Sequence, residues 1–179
     1  MSTCTDLINA INAVVVDPNL LASVDPSTIA VLNTGNTTET AFSLGAGGPA
    51  VLSLPTSSPS LNGVLFRLSF AGTCSSVSGN GSVGLYLGTS ATLASNRTIF
   101  AADSNFATQP FAWSGTFLWD SATQTLTNMD WENIHLGFTP TNLSSVTSQA
   151  SLKFVLSGKF GGSNAGNTIT ITEFKASLV

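Results

Sequence analysis

Apolar positions recur along the chain at two different spacings, and the change falls near residue 35. Before it they repeat every three or four residues, the spacing of one face of an α-helix, at Leu7, Ile8, Ile11, Val14 and Val15. Two pairs, Asp17-Pro18 and Asp25-Pro26, then offer an N-cap followed by the residue that suits the first helical position. We therefore predict a helical arm over residues 1–34, with one amphipathic helix and one or two short helical turns.

After residue 35 apolar and polar positions alternate, which is the period of a half-buried β-strand. In the clearest run Phe66, Leu68 and Phe70 share one face, and Arg67 and Ser69 share the other. Loops rich in Gly, Pro, Ser and Asn separate the runs. The predicted strands are 38–44, 50–54, 61–71, 81–88, 97–103, 111–119, 123–128, 130–138, 151–158 and 167–178.

A series of short strands with no helix between them is typical of an antiparallel β-sandwich. The most economical form is the jelly roll, in which about eight strands make two packed sheets. A chain of 179 residues fits one such domain and an arm. We therefore predict an all-β fold, with a jelly-roll-like sandwich over residues 35–179.

Charge is scarce: 8% of the residues are charged, against 42% that are hydrophobic. A surface so poor in charge is easily buried against other subunits. With a net charge of −4 the chain has no excess of basic groups to neutralise phosphates, so we expect no nucleic-acid partner. No apolar run approaches the roughly 20 residues that span a bilayer, so we expect no membrane partner.

The segment 130–135 brings Asp130, Glu132 and the single histidine, His135, close together in sequence. Alternation along a strand points residues 130 and 132 to one side and residue 135 to the other. Their spacing matches no known type of metal site. We expect no metal and no cofactor here, and we interpret the segment as a polar strand face.

Catalysis has few candidate groups in this chain. A hydroxyl nucleophile needs a base, and only His135 could serve. A glycosidase needs two facing carboxylates, and the sequence leaves open a pair drawn from Asp103, Asp120, Asp130 and Glu132. The two cysteines, Cys4 and Cys74, are expected to be free thiols. We predict that the protein is not an enzyme and has no catalytic residues.

Aromatic side chains suggest an alternative function. An exposed tryptophan on a β-sandwich can stack on a sugar ring, and Trp113 and Trp131 lie in predicted strands. Large aromatic side chains contribute most to hydrophobic cores, and we expect Phe117 and Trp119 to face inward. The alternative is therefore a carbohydrate-binding or phage receptor-binding β-sandwich module.

Three stretches carry a family resemblance: Leu61–Gly72, Val83–Thr89 and Ile169–Ala176. With their strand and loop pattern, residues 36–179 resemble the small jelly-roll structural proteins of tailed bacteriophages, above all the capsid decoration, or cement, proteins. The resemblance implies a non-enzymatic virion protein, made in the host cytoplasm, that binds the outer face of the capsid as a homotrimer. Its partners would be further copies of itself and the major capsid protein.

The arm is our candidate for the assembly contacts. Its apolar stripe consists of Leu7, Ile8, Ile11, Val14 and Val15. The periodicity indicates a buried face and does not say which chain buries it. The stripe fits packing on its own sandwich as well as contact with a neighbouring subunit.

Overall fold

The structure is a computed structural model that describes residues 19–33, 37–55, 61–77, 79–100, 107–136, 140–144, 146 and 151–179. The predicted assembly contacts Leu7, Ile8, Ile11, Val14 and Val15 lie outside these residues. Within them, no helix has the length and apolar character required to cross a bilayer.

The described residues form eleven β-strands and two single 3-10 turns. The turns are Pro26–Thr28 and Leu93–Ser95. In chain order the strands are β1 Leu20–Ser23, β2 Leu32–Asn33, β3 Thr40–Ala41, β4 Val51–Pro55, β5 Leu65–Ser75, β6 Gly81–Leu87, β7 Arg97–Phe100, β8 Gln109–Asp120, β9 Thr125–Ile134, β10 Ser151–Phe160 and β11 Thr168–Leu178.

These strands build two sheets. The six-stranded sheet has the order β1-β11-β5-β8-β9, with β2 also paired to β11. The five-stranded sheet has the order β3-β10-β6-β7, with β4 also paired to β10. Every pairing between these strands is antiparallel. The predicted fold class, a jelly-roll-like antiparallel β-sandwich, is confirmed.

The core lies between the two sheets and follows the alternation along each strand. On β5 the side chains of Phe66, Leu68 and Phe70 are buried, as predicted. The prediction for β8 is confirmed as well, since Phe117 is 0% and Trp119 2% exposed. The inner faces of both sheets contribute to a single cluster of buried apolar residues, which is what binds two sheets face to face.

Over its described part the predicted arm is mostly not helical, and only the short turn predicted at Asp25-Pro26 is confirmed. Residues 20–23 form β1 and residues 32–33 form β2, and both strands pair with β11. Only Pro26–Thr28 is helical, as one 3-10 turn that the Asp25 side chain caps by accepting from the Ser27 amide at 2.9 Å. Ile29 and Leu32 are buried in the core. Pairing with the long strand β11 satisfies backbone groups that would otherwise be exposed at a sheet edge.

A second correction concerns residues 123–128 and 130–138, which were predicted to be two strands. They contribute to one strand, β9, whose register on β8 shifts by one residue at Met129. The extra residue resets the alternation of side chains. As a result Leu126 and Trp131, five positions apart, both pack against the core. In the sequence this reset has the same pattern as the end of one strand and the start of another.

Candidate functional site

Trp113, which the sequence suggested as a platform for a sugar ring, is part of the core. It is 1% exposed, and its ring centroid lies 5.7 Å from that of Phe70 and 5.1 Å from that of Phe100 on the opposite sheet. The ring also covers Gly115, where an added Cβ would lie 2.4 Å from it. The suggestion that Trp113 is exposed is therefore wrong. Trp131 is half-buried and packs against the core.

The polar side chains of β9 do not form one site with the histidine. Asp130 and Glu132 are exposed on the outer face, as the alternation predicted. His135 lies beyond the strand with a φ of 60°, and its Nδ1 is 2.8 Å from the carbonyl oxygen of Pro110. In the part of the chain that the structure describes, no three His, Cys, Asp or Glu side chains are grouped to hold a metal ion.

Of the remaining candidate residues, the structure describes Asp120 and Cys74. Asp120 closes the turn between β8 and β9, accepting from the Ala122 amide at 2.8 Å and the Thr123 hydroxyl at 2.7 Å. These hydrogen bonds lower the pKa of Asp120, and the one from the Thr123 hydroxyl contributes most. Cys74 is buried and not in a disulfide, and burial raises its pKa to about 11, so the thiol stays protonated near neutral pH. Asp103 and Cys4 lie outside the described residues.

A groove of about 310 Å³ crosses the outer face of the six-stranded sheet. Its floor is made by Ala71 on β5 and Ala112 on β8, which are directly paired. Their short side chains leave space that the longer side chains of the flanking strands do not fill. Glu173 on β11 lines one end of the groove, and Ile134 on β9 lines the other.

The orientation of Glu173 depends on a second irregularity in the sheet. The register of β11 on β5 shifts between Ile171 and Glu173. Ile171 and Phe174, three positions apart, therefore both face the core, and Glu173 comes to lie opposite Ala71 on the outer face. A bulge re-aims a side chain in this way, and such bulges are over-represented beside functional sites.

Two serine–glutamate pairs border the groove. Ser69 on β5 and Ser114 on β8 are directly paired, one step along the strands from the alanines. The Ser69 hydroxyl donates to Oε1 of Glu173 at 2.8 Å, and the Ser114 hydroxyl donates to Oε1 of Glu132 at 2.9 Å. The two carboxylates are thus held on opposite sides of a central pair of hydroxyl groups.

Each carboxylate also has a cation nearby. Lys175 Nζ lies 2.9 Å from Glu173 Oε2, and Arg67 Nη1 lies 3.8 Å from Glu132 Oε1. Burial by itself would raise the pKa of Glu173, but the hydrogen bonds from Lys175 and Ser69 and the charge of Lys175 outweigh it and lower that pKa. Glu173 is therefore ionised at neutral pH. Arg67 also borders a smaller depression of about 60 Å³ with Thr116 and Asp130.

Three apolar residues form a row on the same outer face, at the end of the strands that lies away from the groove. Leu65 on β5 pairs with Leu118 on β8, and the Val179 amide donates to the Leu65 carbonyl at 3.3 Å. Paired residues of an antiparallel sheet lie on the same face, so the Leu65 and Leu118 side chains are adjacent, and the backbone hydrogen bond places Val179 next to Leu65. Leu65 is 39% and Val179 69% exposed, and Leu118 is half-buried.

The outer face of the five-stranded sheet is different, because the side chains at its centre, on β6 and β10, are buried. Tyr86, Val155 and Ser157 are at most 6% exposed, although Val155 and Tyr86 do not belong to the core between the sheets. Glu39 lies on this face, and its Oε1 accepts from Tyr86 at 2.8 Å and from Ser157 at 2.5 Å. Gly84 makes room for this contact, since a Cβ there would lie 2.9 Å from the same oxygen.

Comparison with solved structures finds other β-sandwich proteins. The chain is similar to the SPRY domain of human HERC1, with a TM-score of 0.34 and 13% identity over 83% of this chain and 96% of that one. Peanut lectin with a 9-residue peptide has a TM-score of 0.32 and 14% identity over 92% and 94% of the two chains. The metal-free lectin I-B4 of Griffonia simplicifolia has 0.30 and 11% over 84% and 93%.

No protein-family model and no curated protein matches the chain. Since the TM-scores of the solved structures are all below 0.5, we base the architecture on the strand pairing and draw no functional conclusion from these proteins. The class that the structure defines is a β-sandwich domain with one outer face whose central side chains are buried and one that carries an open groove.

Sequence reasoning located part of the groove and missed the rest. Glu132 was singled out, but as part of a segment with His135. The sequence did not indicate four other residues of the groove, Ser69, Ala71, Ala112 and Glu173. Serine and alanine on strands have no distinctive pattern, and the four positions are up to 104 residues apart. Only the pairing of β11, β5, β8 and β9 brings them together.

Proposed function

We propose that this protein is a non-enzymatic virion structural protein, a capsid decoration protein that assembles as a homotrimer and attaches to the outer face of the shell through the major capsid protein. The observation that supports the proposal best is the apolar row of Leu65, Leu118 and Val179 on an open sheet face. Single exposed apolar residues are normal on a protein surface, whereas adjacent ones favour a contact with another protein.

Attachment to a capsid requires buried apolar surface and no reactive group. Removing apolar surface from water stabilises an interface by about 25 cal/mol per Å². One row of three side chains provides a weak contact, but three copies around a symmetry axis let weak contacts act together. A protein that binds only the assembled shell stabilises it by mass action.

The assembly is tested by native mass spectrometry and light scattering at micromolar concentration. We expect a trimer for the wild-type chain and a shift towards monomer for Leu65→Ser. Val77→Ser is the matched control, because Val77 is 66% exposed and lies outside the row. A monomeric wild-type protein, or equal behaviour of the two variants, would contradict this assignment of the interface.

Location on a virion requires a separate experiment. In purified particles of the phage that carries the gene, quantitative mass spectrometry should detect this chain in a constant ratio to the major capsid protein. Particles that lack the chain would rule out a decoration protein, whatever its oligomeric state.

The alternative function, a carbohydrate-binding or receptor-binding module, loses one of its two aromatic candidates because Trp113 is buried in the core, whereas Trp131 is half-buried. A different feature, the groove on the six-stranded sheet, favours it independently.

A further inference from the structure

The groove on the six-stranded sheet is open to solvent and has the size of a small binding site. Its volume of about 310 Å³ lies at the lower end of the range for ligand pockets, which begins at roughly 300 Å³. Two long central strands of a packed sheet form its floor, so binding would order little of the protein. A preformed site of this kind loses less free energy to ordering on binding.

One border of the groove presents fixed hydrogen-bonding groups. Because Ser69 and Ser114 donate their protons to Glu173 and Glu132, both hydroxyl oxygens keep lone pairs that can accept from a ligand. Each carboxylate also has lone pairs beyond the one that its serine uses. Lys175 and Arg67, whose side chains are 42% and 48% exposed, add donors next to these acceptors.

The charges of this border balance. The two carboxylates are matched by two cations, at 2.9 Å for Lys175 with Glu173 and at 3.8 Å for Arg67 with Glu132. A cationic ligand would compete with Lys175 and Arg67, and an anionic ligand would meet two carboxylates. The balance favours a neutral ligand that both donates and accepts hydrogen bonds.

Apart from Asn133, the residues that line the rest of the groove are apolar. The methyl groups of Ala71 and Ala112 form the floor, and Ile134, which is 55% exposed, lies at one end. A purely apolar ligand would fit this strip but would desolvate the neighbouring carboxylates without a hydrogen bond, which is unfavourable. The ligand must therefore combine an apolar face with a polar edge.

We infer that this groove is a saccharide-binding site. A sugar ring would place a C–H face on Ala71 and Ala112 and direct its hydroxyl groups to the row of Ser69, Ser114, Glu132 and Glu173. This inference does not depend on a role in a capsid, because it concerns the part of the sheet face away from the apolar row.

The test uses the full-length protein on an array of immobilised neutral mono-, di- and trisaccharides, followed by calorimetric titration of the strongest binder. Ala112→Leu fills the groove, and we expect it to abolish binding. Glu132→Gln replaces a charged acceptor by a neutral one and should weaken binding about tenfold or more. Thr73→Leu is the matched control, since Thr73 is exposed on the same face of β5 but does not line the groove.

The wild-type protein and Thr73→Leu should bind the same saccharide with equal affinity. Thermal melting of each variant checks that the fold is intact, and a variant that melts early is replaced by Ala71→Leu, which fills the groove from the neighbouring strand. Binding that Ala112→Leu and Ala71→Leu leave unchanged would place the saccharide elsewhere and overturn the inference. The inference is also overturned if the wild-type protein binds no saccharide on the array. It is overturned as well if the protein binds an oligolysine peptide and no saccharide.

Discussion

The two sheets of this sandwich use carboxylates on their outer faces in opposite ways. On the five-stranded sheet Glu39 accepts from two hydroxyl groups, those of Tyr86 and Ser157, and the surrounding side chains are buried. On the six-stranded sheet Glu132 and Glu173 each accept from one serine, and their side chains are 75% and 37% exposed. The first arrangement holds a loop on a sheet, and the second leaves acceptor capacity for a ligand.

The difference arises from the size of the outward-facing side chains. The five-stranded sheet carries Tyr86 and Val155, and of the two small outward positions on β6, Ser82 and Gly84, the glycine lies against Glu39. The two central strands of the six-stranded sheet carry four small residues side by side: Ser69, Ala71, Ala112 and Ser114. Small residues at adjacent positions of neighbouring strands create a depression, and charged residues on the outer strands then form its rim.

The largest expected effect concerns the layer under the groove. If Trp113 belongs to the core, Trp113→Ala should lower the free energy of unfolding by about 3–5 kcal/mol. Trp131→Ala, at a half-buried position, should have a smaller effect. Urea unfolding followed by circular dichroism measures both. A Trp113→Ala protein with wild-type stability would mean that this side chain is not enclosed between the sheets.

A smaller difference is expected between the two types of carboxylate. Glu39→Ala removes the acceptor for the Ser157 hydroxyl, which is fully buried, and leaving a buried donor without this bond costs about 1–3 kcal/mol. Glu132→Ala removes the acceptor for Ser114 at an exposed site where water replaces it, so the expected change is within about 0.5 kcal/mol. Equal losses of stability in the two variants would remove the distinction between the faces.

The smallest effect is a pH dependence at the rim of the groove. Because the pKa of Glu173 is lower in the folded protein than its ordinary 4.5, ionised Glu173 stabilises the fold above that pH. This contribution is lost as the pH falls through the lowered pKa. Since the side chain is partly exposed, Glu173→Gln should cost less than about 1 kcal/mol at pH 7.

Unfolding in urea at a series of pH values between 7 and about 2 measures this effect. The difference between wild type and Glu173→Gln should shrink below pH 4.5 and disappear once the carboxyl group is protonated in the folded protein. In a Lys175→Met background the same substitution should cost less at pH 7, because Lys175 is one of the causes of the lowered pKa. A difference that grows on acidification would have the wrong sign for this ion pair.

Alternation in the sequence was a reliable guide where strands are long and regular. It identified the inward face of β5 through Phe66, Leu68 and Phe70, and that of β8 through Phe117 and Trp119. It failed at Met129, where an extra residue resets the alternation within one strand. It failed also at residues 20–33, whose short strands have their partners more than 130 positions away in β11.

The sequence alone determined which side chains of the long strands face the core, because alternation on a strand is a local property that burial of apolar groups enforces. It also determined that little charge is available for catalysis. Only the tertiary structure decided the register between β11, β5, β8 and β9, the two bulges, and therefore the groove. Register depends on contacts between distant segments, and a shift of one residue exchanges the two faces of a strand.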